Sequence, residues 1–153
     1  MSYHNGSVWP HDTALAAAGL ARYGFHNGAL QFLTGMFNAS EFLDLHRLPE
    51  LFCGFDRLPG QAPTLYPVAC SPQAWASGAV FMLLQACLGI GFSQEAPHLR
   101  FHHPRLPDSI GLRWIKGLSY GANSVDLAIR RHGNDVAMHI EQRREDLDVA
   151  ILI

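Results

Sequence analysis

The chain has 153 residues, 48% of them hydrophobic and only 16% charged, with a formal net charge of −2. Ordinary soluble domains carry roughly 25% charged residues, so an unusual share of this chain expects burial. A near-neutral balance offers no basic patch for nucleic acid or an anionic membrane, and the length suits one ordinary domain or two small ones.

The N-terminal residues carry neither a basic stretch nor an apolar core, and so do not read as a secretory signal. A first helix is predicted over 10–23, opened by Pro10, whose fixed φ suits the first turn. Small residues on nearly every face (Ala14, Ala16, Ala17, Ala18, Gly19) suit a helix packed closely on several sides. A second helix is predicted over 27–44. Its Leu30, Leu33 and Phe37 recur at three and four residues, with Gln31, Thr34, Asn38 and Glu41 between, the pattern of an amphipathic surface helix.

A third helix is predicted from Ser71 as N-cap and Pro72 as first residue to about Gly89. No charged residue occurs over 72–92, which imitates a membrane span. Gln73, Ser77 and Gln85 interrupt it and no basic cluster flanks it, so it reads as an inner helix of a larger helical body, with no membrane partner. The loop over 45–70 is rich in proline (Pro49, Pro59, Pro63, Pro67), and loops of this length are often functional.

The pattern changes at Glu95-Ala96-Pro97 from helical to alternating. Val125, Leu127 and Ile129, then Val136, Met138 and Ile140, alternate with polar or small residues about a turn at His132-Gly133-Asn134. Residues 112–114 and 149–153 supply further strands. The expected organisation is a helical part over 1–94 and a β-rich tail over 95–153. Cys53, Cys70 and Cys87, odd in number and without a CxxC pair, read as buried reduced thiols of a cytoplasmic protein. Nine histidines show no zinc spacing, and His102 and His103 should point to opposite faces of a strand, so no metal or cofactor is expected.

Three segments hold residues suited to chemistry. In 3–12, Tyr3, Asn5, Trp9, His11 and Asp12 combine rings with short polar groups, the materials for holding a sugar; equally, Asp12 complements a helix dipole and Trp9 packs as a staple. In 48–57, Glu50 lies in an apolar run, where burial raises a carboxyl pKa unless a partner offsets it; such a group serves as general acid or base, or pairs with Arg47 or Arg57. In 66–75, Gln73 and Trp75 stand at the start of a buried helix, facing a ligand or simply packed.

Read together, YHNGSVWPHD, PELFCGFDR and YPVACSPQAWASGA, in this order and spacing, resemble the C-terminal region of bacterial amylo-α-1,6-glucosidase (glycogen debranching enzyme-like) proteins among the six-hairpin glycosidases. The resemblance implies a mainly α fold, the C-terminal part of an (α/α)6 toroid with about three helices, followed by a small antiparallel β unit. It further implies inverting hydrolysis of α-glucosidic bonds, with Glu50 as general base and Trp9, His11 and Asp12 lining the substrate site; Tyr3, Asn5, Gln73 and Trp75 stay substrate-binding candidates on their residue types. Inversion needs a second carboxyl group about 6.5–9.5 Å away, and the family's general acid lies upstream of these motifs. The expected function is therefore a glycoside hydrolase fragment inactive alone, binding an α-glucan or oligosaccharide. The alternative is a non-catalytic carbohydrate-binding or assembly module that completes a split toroid with a separate N-terminal part.

Overall fold

The computed structural model describes residues 2–93, 98–133 and 135–152. Strands make up as much of it as helices do. In chain order the elements are β1 (Ser7–Val8), α1 (Pro10–Arg22), α2 (His26–Ser40), β2 (Phe52–Cys53), α3 (Ala74–Leu88), β3 (Ile90–Phe92), β4 (His98–His102), β5 (Leu112–Tyr120), β6 (Asn123–His132), β7 (Asp135–Arg144) and β8 (Asp148–Leu152). A short 3₁₀ turn at Asp44–His46 follows α2. The chain divides into two units, Met1–Leu84 and Gln85–Ile153, and the division falls inside α3.

In the first unit α1 and α2 pack on one another as a helical hairpin. The turn between them is a Schellman closure: the N–H of Phe25 donates to Leu20 O at 2.8 Å and that of Gly24 to Ala21 O at 3.1 Å. Gly24 takes φ 85°, a left-handed conformation that costs glycine nothing. The buried positions are small or flexible: Ala14, Ala17, Ala29, Leu33, Met36 and Ala39. Alanine on both helices permits close approach of the two backbones. β1 and β2 form a two-stranded antiparallel ladder with Ser7 opposite Cys53 and Val8 opposite Phe52.

The second unit holds two three-stranded sheets, ordered β3-β4-β8 and β5-β6-β7. Alternation does its expected work on β6, where Val125, Leu127 and Ile129 are all buried. They join Leu88, Leu99, Phe101, Leu106, Val136 and Leu147 in one apolar cluster.

These findings correct the expected fold class. Three helices and eight strands in three sheets, among the described residues, make an α+β chain and not a mainly α piece of an (α/α)6 toroid. The physical reason is that the second unit closes a core of its own from strand residues. Nor is the β part wholly antiparallel, since β4 and β8 pair in parallel, with His98 opposite Asp148 and Phe101 opposite Ile151. Parallel neighbours need a long crossover, and β5 to β7 supply it.

Local boundaries shift as well. α2 ends at Ser40, short of residue 44, and α3 starts at Ala74 and not at Pro72, after a cis Ser71–Pro72 peptide. Ser71 is thus no N-cap; the carbonyl of Gln73 accepts the Ser77 N–H at 3.2 Å and marks the true helix start. The inner role expected of α3 holds on one face only. Ala76, Ala79, Leu83 and Cys87 are buried, whereas Val80 and Met82 are exposed and Phe81 is 74% exposed. Cys87 is a buried thiol, but Cys70 is exposed. His103 follows β4 at φ 46°, which swings its ring edge-on to that of His102 at 4.5 Å, so the two do not point to opposite faces. The expected boundary at 94/95, Asn134 of the expected turn and Ile153 of the last strand lie outside the described residues. Among the described residues no helix is long and apolar enough to cross a membrane.

Candidate functional site

Backbone pairing brings the three distant segments together within the first unit. β1 lies on β2, and the N–H of Gly54 donates to Gly6 O at 2.8 Å, fastening the N-terminal arm beside the residues that follow Glu50. A Cβ at position 54 would collide with that same Gly6 carbonyl, which is why glycine stands there. The third segment is fastened in the same way. The Glu50 N–H donates to Cys70 O at 2.8 Å and the Gln73 N–H to Leu48 O at 3.2 Å. Leu48, Pro49, Leu51 and Phe52 are buried and hold the stretch around Glu50 against the core.

Glu50 is 8% exposed, the buried charged side chain among the described residues. Its carboxylate accepts the Cys70 backbone N–H on Oε2 at 3.2 Å, and the Tyr3 hydroxyl and the Gln73 side chain lie near enough to act on its charge. Neither arginine weighed as a partner reaches it: Arg47 pairs with Asp44 at 3.3 Å, and Arg57 lies over the Phe42 ring. A backbone N–H and nearby polar groups therefore compensate the charge in place of an arginine, as burial requires. The Tyr3 hydroxyl, with smaller help from Cys70, Gln73 and the charge of His11, holds the Glu50 carboxyl below its ordinary 4.5 against the opposing effect of burial. The neighbouring Glu50 carboxylate, together with burial, pushes Tyr3 up from 10.0 to about 12.

Rings cluster where these segments meet. Tyr3 meets His4, Trp9 and Tyr66 edge-on at 5.0, 5.1 and 5.6 Å. Trp9 stacks with His4 at 6.0 Å and stands edge-on to His11 at 5.6 Å. His11 in turn stacks on Trp75 at 4.4 Å, with planes 24° apart. Offset and edge-to-face pairs at these separations contribute about 0.5–1.5 kcal/mol each beyond their burial. Trp75 stays 49% exposed and offers the face that His11 leaves open.

Of the residues singled out from sequence, Glu50, Tyr3, Trp9, His11, Gln73 and Trp75 thus come together. Asp12 is exposed and pairs with His11 Nε2 at 3.3 Å; the His11 Nδ1 is buried with no partner among the described residues. Asn5 is not among the groups around Glu50. It lies in an exposed turn whose backbone bonds are to Ser2. Sequence reasoning assigned no role to His4 or Tyr66, although both stand within the motifs, nor to the backbone N–H of Cys70. The aromatic identity of the first two was the available signal; the third had none.

A separate cavity of about 260 Å³ in this unit is lined by Val8, Phe32, Met36, Phe52, Phe55 and Pro63 among others. None of the residues around Glu50 lines it, and its mainly apolar wall supplies few of the polar groups that orient a ligand. Among the described residues no three potential metal ligands cluster. No family model matches the chain, and no curated protein is significantly similar to it.

Proposed function

We propose that the site around Glu50 binds an α-linked gluco-oligosaccharide and that Glu50 is the base of a glycoside hydrolase of the glycogen-debranching type, with the general acid supplied from outside this site. The observation that carries the reading is the buried Glu50 carboxylate, bonded by the Cys70 N–H, where three distant segments meet and bring a cluster of rings. Sugars pair apolar faces with rings and hydroxyls with polar groups, and both are present here. A carboxyl held below its ordinary pKa is unprotonated at neutral pH, which suits a base that activates water and not an acid that protonates a leaving oxygen. The free thiols at Cys53, Cys70 and Cys87 support a cytoplasmic setting.

Calorimetric titration with α-1,6- and α-1,4-linked gluco-oligosaccharides tests the reading. Saturable binding is expected, weakened about tenfold (about 1.4 kcal/mol) by Trp75→Ala. Absence of heat at high ligand concentration would end it. The second reading is sugar binding without hydrolysis. It is favoured by the position of Asp12, the other carboxylate of the first motif, which is exposed and bound to His11. Release of glucose from the bound oligosaccharide, lost in Glu50→Gln, separates the two.

A further inference from the structure

The outer face of the β5-β6-β7 sheet, in the second unit, gathers polar groups to which sequence reasoning gave no role. Val125, Leu127 and Ile129 of β6 turn inward, so Ser124, Asp126 and Ala128 point the other way. Residues paired across neighbouring strands share a face. The register sets Arg144 opposite Ser124, Gln142 opposite Asp126, and both Trp114 and His139 opposite Ala128. Gly117, Ser124, Val125, Asp126, Gln142 and Arg144 line a pocket of about 150 Å³ there. We propose that this pocket, with the Trp114 ring beside it, holds one residue of a neutral sugar chain.

Two irregularities in the ladders meet at Asp126. On β5, residues 116 and 117 stand opposite Asp126 alone, and on β7 the extra residue Glu141 separates Gln142 from Ile140. Gly117 takes φ 65°, the left-handed conformation of a glycine bulge. Its N–H leaves the ladder and donates to Asp126 Oδ1 at 2.7 Å, which fixes the carboxylate on this face. Bulges of this kind re-aim side chains and recur beside functional sites.

The charges select the ligand class. Arg144 makes no ion pair among the described residues. An anion would meet the Asp126 carboxylate and a cation the Arg144 guanidinium, and the flanking bulge residues Lys116 and Glu141 are likewise of opposite sign. A neutral ligand that offers donors and acceptors side by side satisfies both. Hydroxyls on adjacent carbons do this, and Asp, Gln and Arg each present two polar atoms in a plane to meet them. Trp114 supplies the apolar half of sugar recognition. It is 54% exposed, and its neighbour across the ladder, Ala128, adds only a methyl group. As a diagonal neighbour of Asp126 it stands about 7–8 Å away, within reach of the same ligand. Cavities of roughly 150 Å³ accept one six-membered ring, which matches the size of the pocket.

This surface does not depend on Glu50, and because heat of binding sums every site, residue-resolved NMR separates the two. Proton–nitrogen spectra of the whole chain are recorded with rising maltotriose, with cellotriose and with glycine. A sugar is expected to give saturable shifts at the Gly117 and Asp126 amides and at the Trp114 indole N–H. Trp114→Ala and Gln142→Ala, both at exposed positions where folding is little disturbed, should each weaken the response of the two amides about tenfold. No shift at these residues with either sugar, shifts with the zwitterion glycine alone, or unchanged affinity in both variants overturns the proposal. Shifts confined to the neighbourhood of Glu50 and Trp75 also overturn it and leave the hydrolase reading standing. Shifts confined to β5, β6 and β7 do the reverse.

Discussion

The two units solve the same problem, a chain poor in charge, in opposite ways. The second unit buries its apolar residues in a strand-built core in which Leu99, Phe101, Leu127 and Leu147 are wholly shielded from solvent. The first unit has smaller buried residues, and leaves Leu15, Tyr23, Phe37 and Phe81 more than half exposed. What it builds instead is a set of long-range fastenings around one carboxylate. Large buried side chains give a region stability. A buried charge gives it little, since desolvation offsets much of what its partners contribute, and its retention calls for another explanation. On the function proposed above, the second unit is the structural part and the first carries the candidate site around Glu50.

The largest effect that would test this contrast is in the strand core. Phe101→Ala should cost about 3–5 kcal/mol, by lost burial and a residual cavity, measured by denaturant unfolding of the second unit. A loss under about 1 kcal/mol would mean that the cluster around Phe101 is not the source of its stability.

Next comes Gly54→Ala. The new methyl group would strike the Gly6 carbonyl and must push the N-terminal arm away. A cost of about 1–3 kcal/mol is expected, as for other forced insertions into packed structure. The change should also carry Tyr3 away from the Glu50 charge, visible as alkaline ionisation returning from about 12 toward 10.0. Stability lost without that return would show that the Gly54–Gly6 contact does not position Tyr3.

The pH dependence sharpens the comparison further, because only the first unit carries the linked pair. Glu50 is lowered in the folded chain, so between its folded value and 4.5 the unfolded chain binds more protons. Its contribution is complete above 4.5 and is lost as pH falls through the folded value. Tyr3 is raised, so its contribution is complete below 10.0 and is lost as pH rises toward about 12. Replacing both residues, in Tyr3→Phe/Glu50→Gln, should flatten the acid limb of the stability–pH curve and reduce the alkaline one, where burial of the Cys87 thiol, pushed from 9.0 to about 11, still contributes. Limbs that persist unchanged would assign the linkage to other groups.

The smallest effect is expected at Phe81, 74% exposed on α3. Phe81→Ser should alter stability by no more than about 0.5 kcal/mol, the range of ordinary surface changes. A larger loss would mean that this face is covered in solution.

How much of this could be read from residues alone differs between the units as well. The β6 and β7 strands were legible because alternation at period two directly encodes which side is buried. Helices α1 to α3 were legible from spacing and from Pro10, although α3 begins three residues after its apparent Ser71 cap because the local geometry, and not residue type, chose Gln73. β1 and β2 were not legible. Each has two residues, too few for any period, and they exist only because two remote segments meet.

The candidate site divides along the same line. Tyr3, Trp9, His11, Glu50, Gln73 and Trp75 were identifiable because rings beside polar groups at helix starts, and a carboxylate in an apolar run, are chemically conspicuous. Their roles were not. Whether burial raises the pKa of Glu50 or a donor lowers it depends on the Tyr3 hydroxyl and the Cys70 N–H, which lie 47 and 20 residues away along the chain. The fold class likewise depended on where strand edges found partners, and the parallel pairing of β4 with β8 spans three intervening strands. By itself the sequence determined where the three helices and the β6–β7 hairpin run, and it singled out the candidate side chains, because those properties are local to a residue and its near neighbours. Only the tertiary structure decided the α+β architecture, the Cys70 N–H on Glu50 and the ring contacts of Tyr3, because each arises from contacts between residues far apart in the chain.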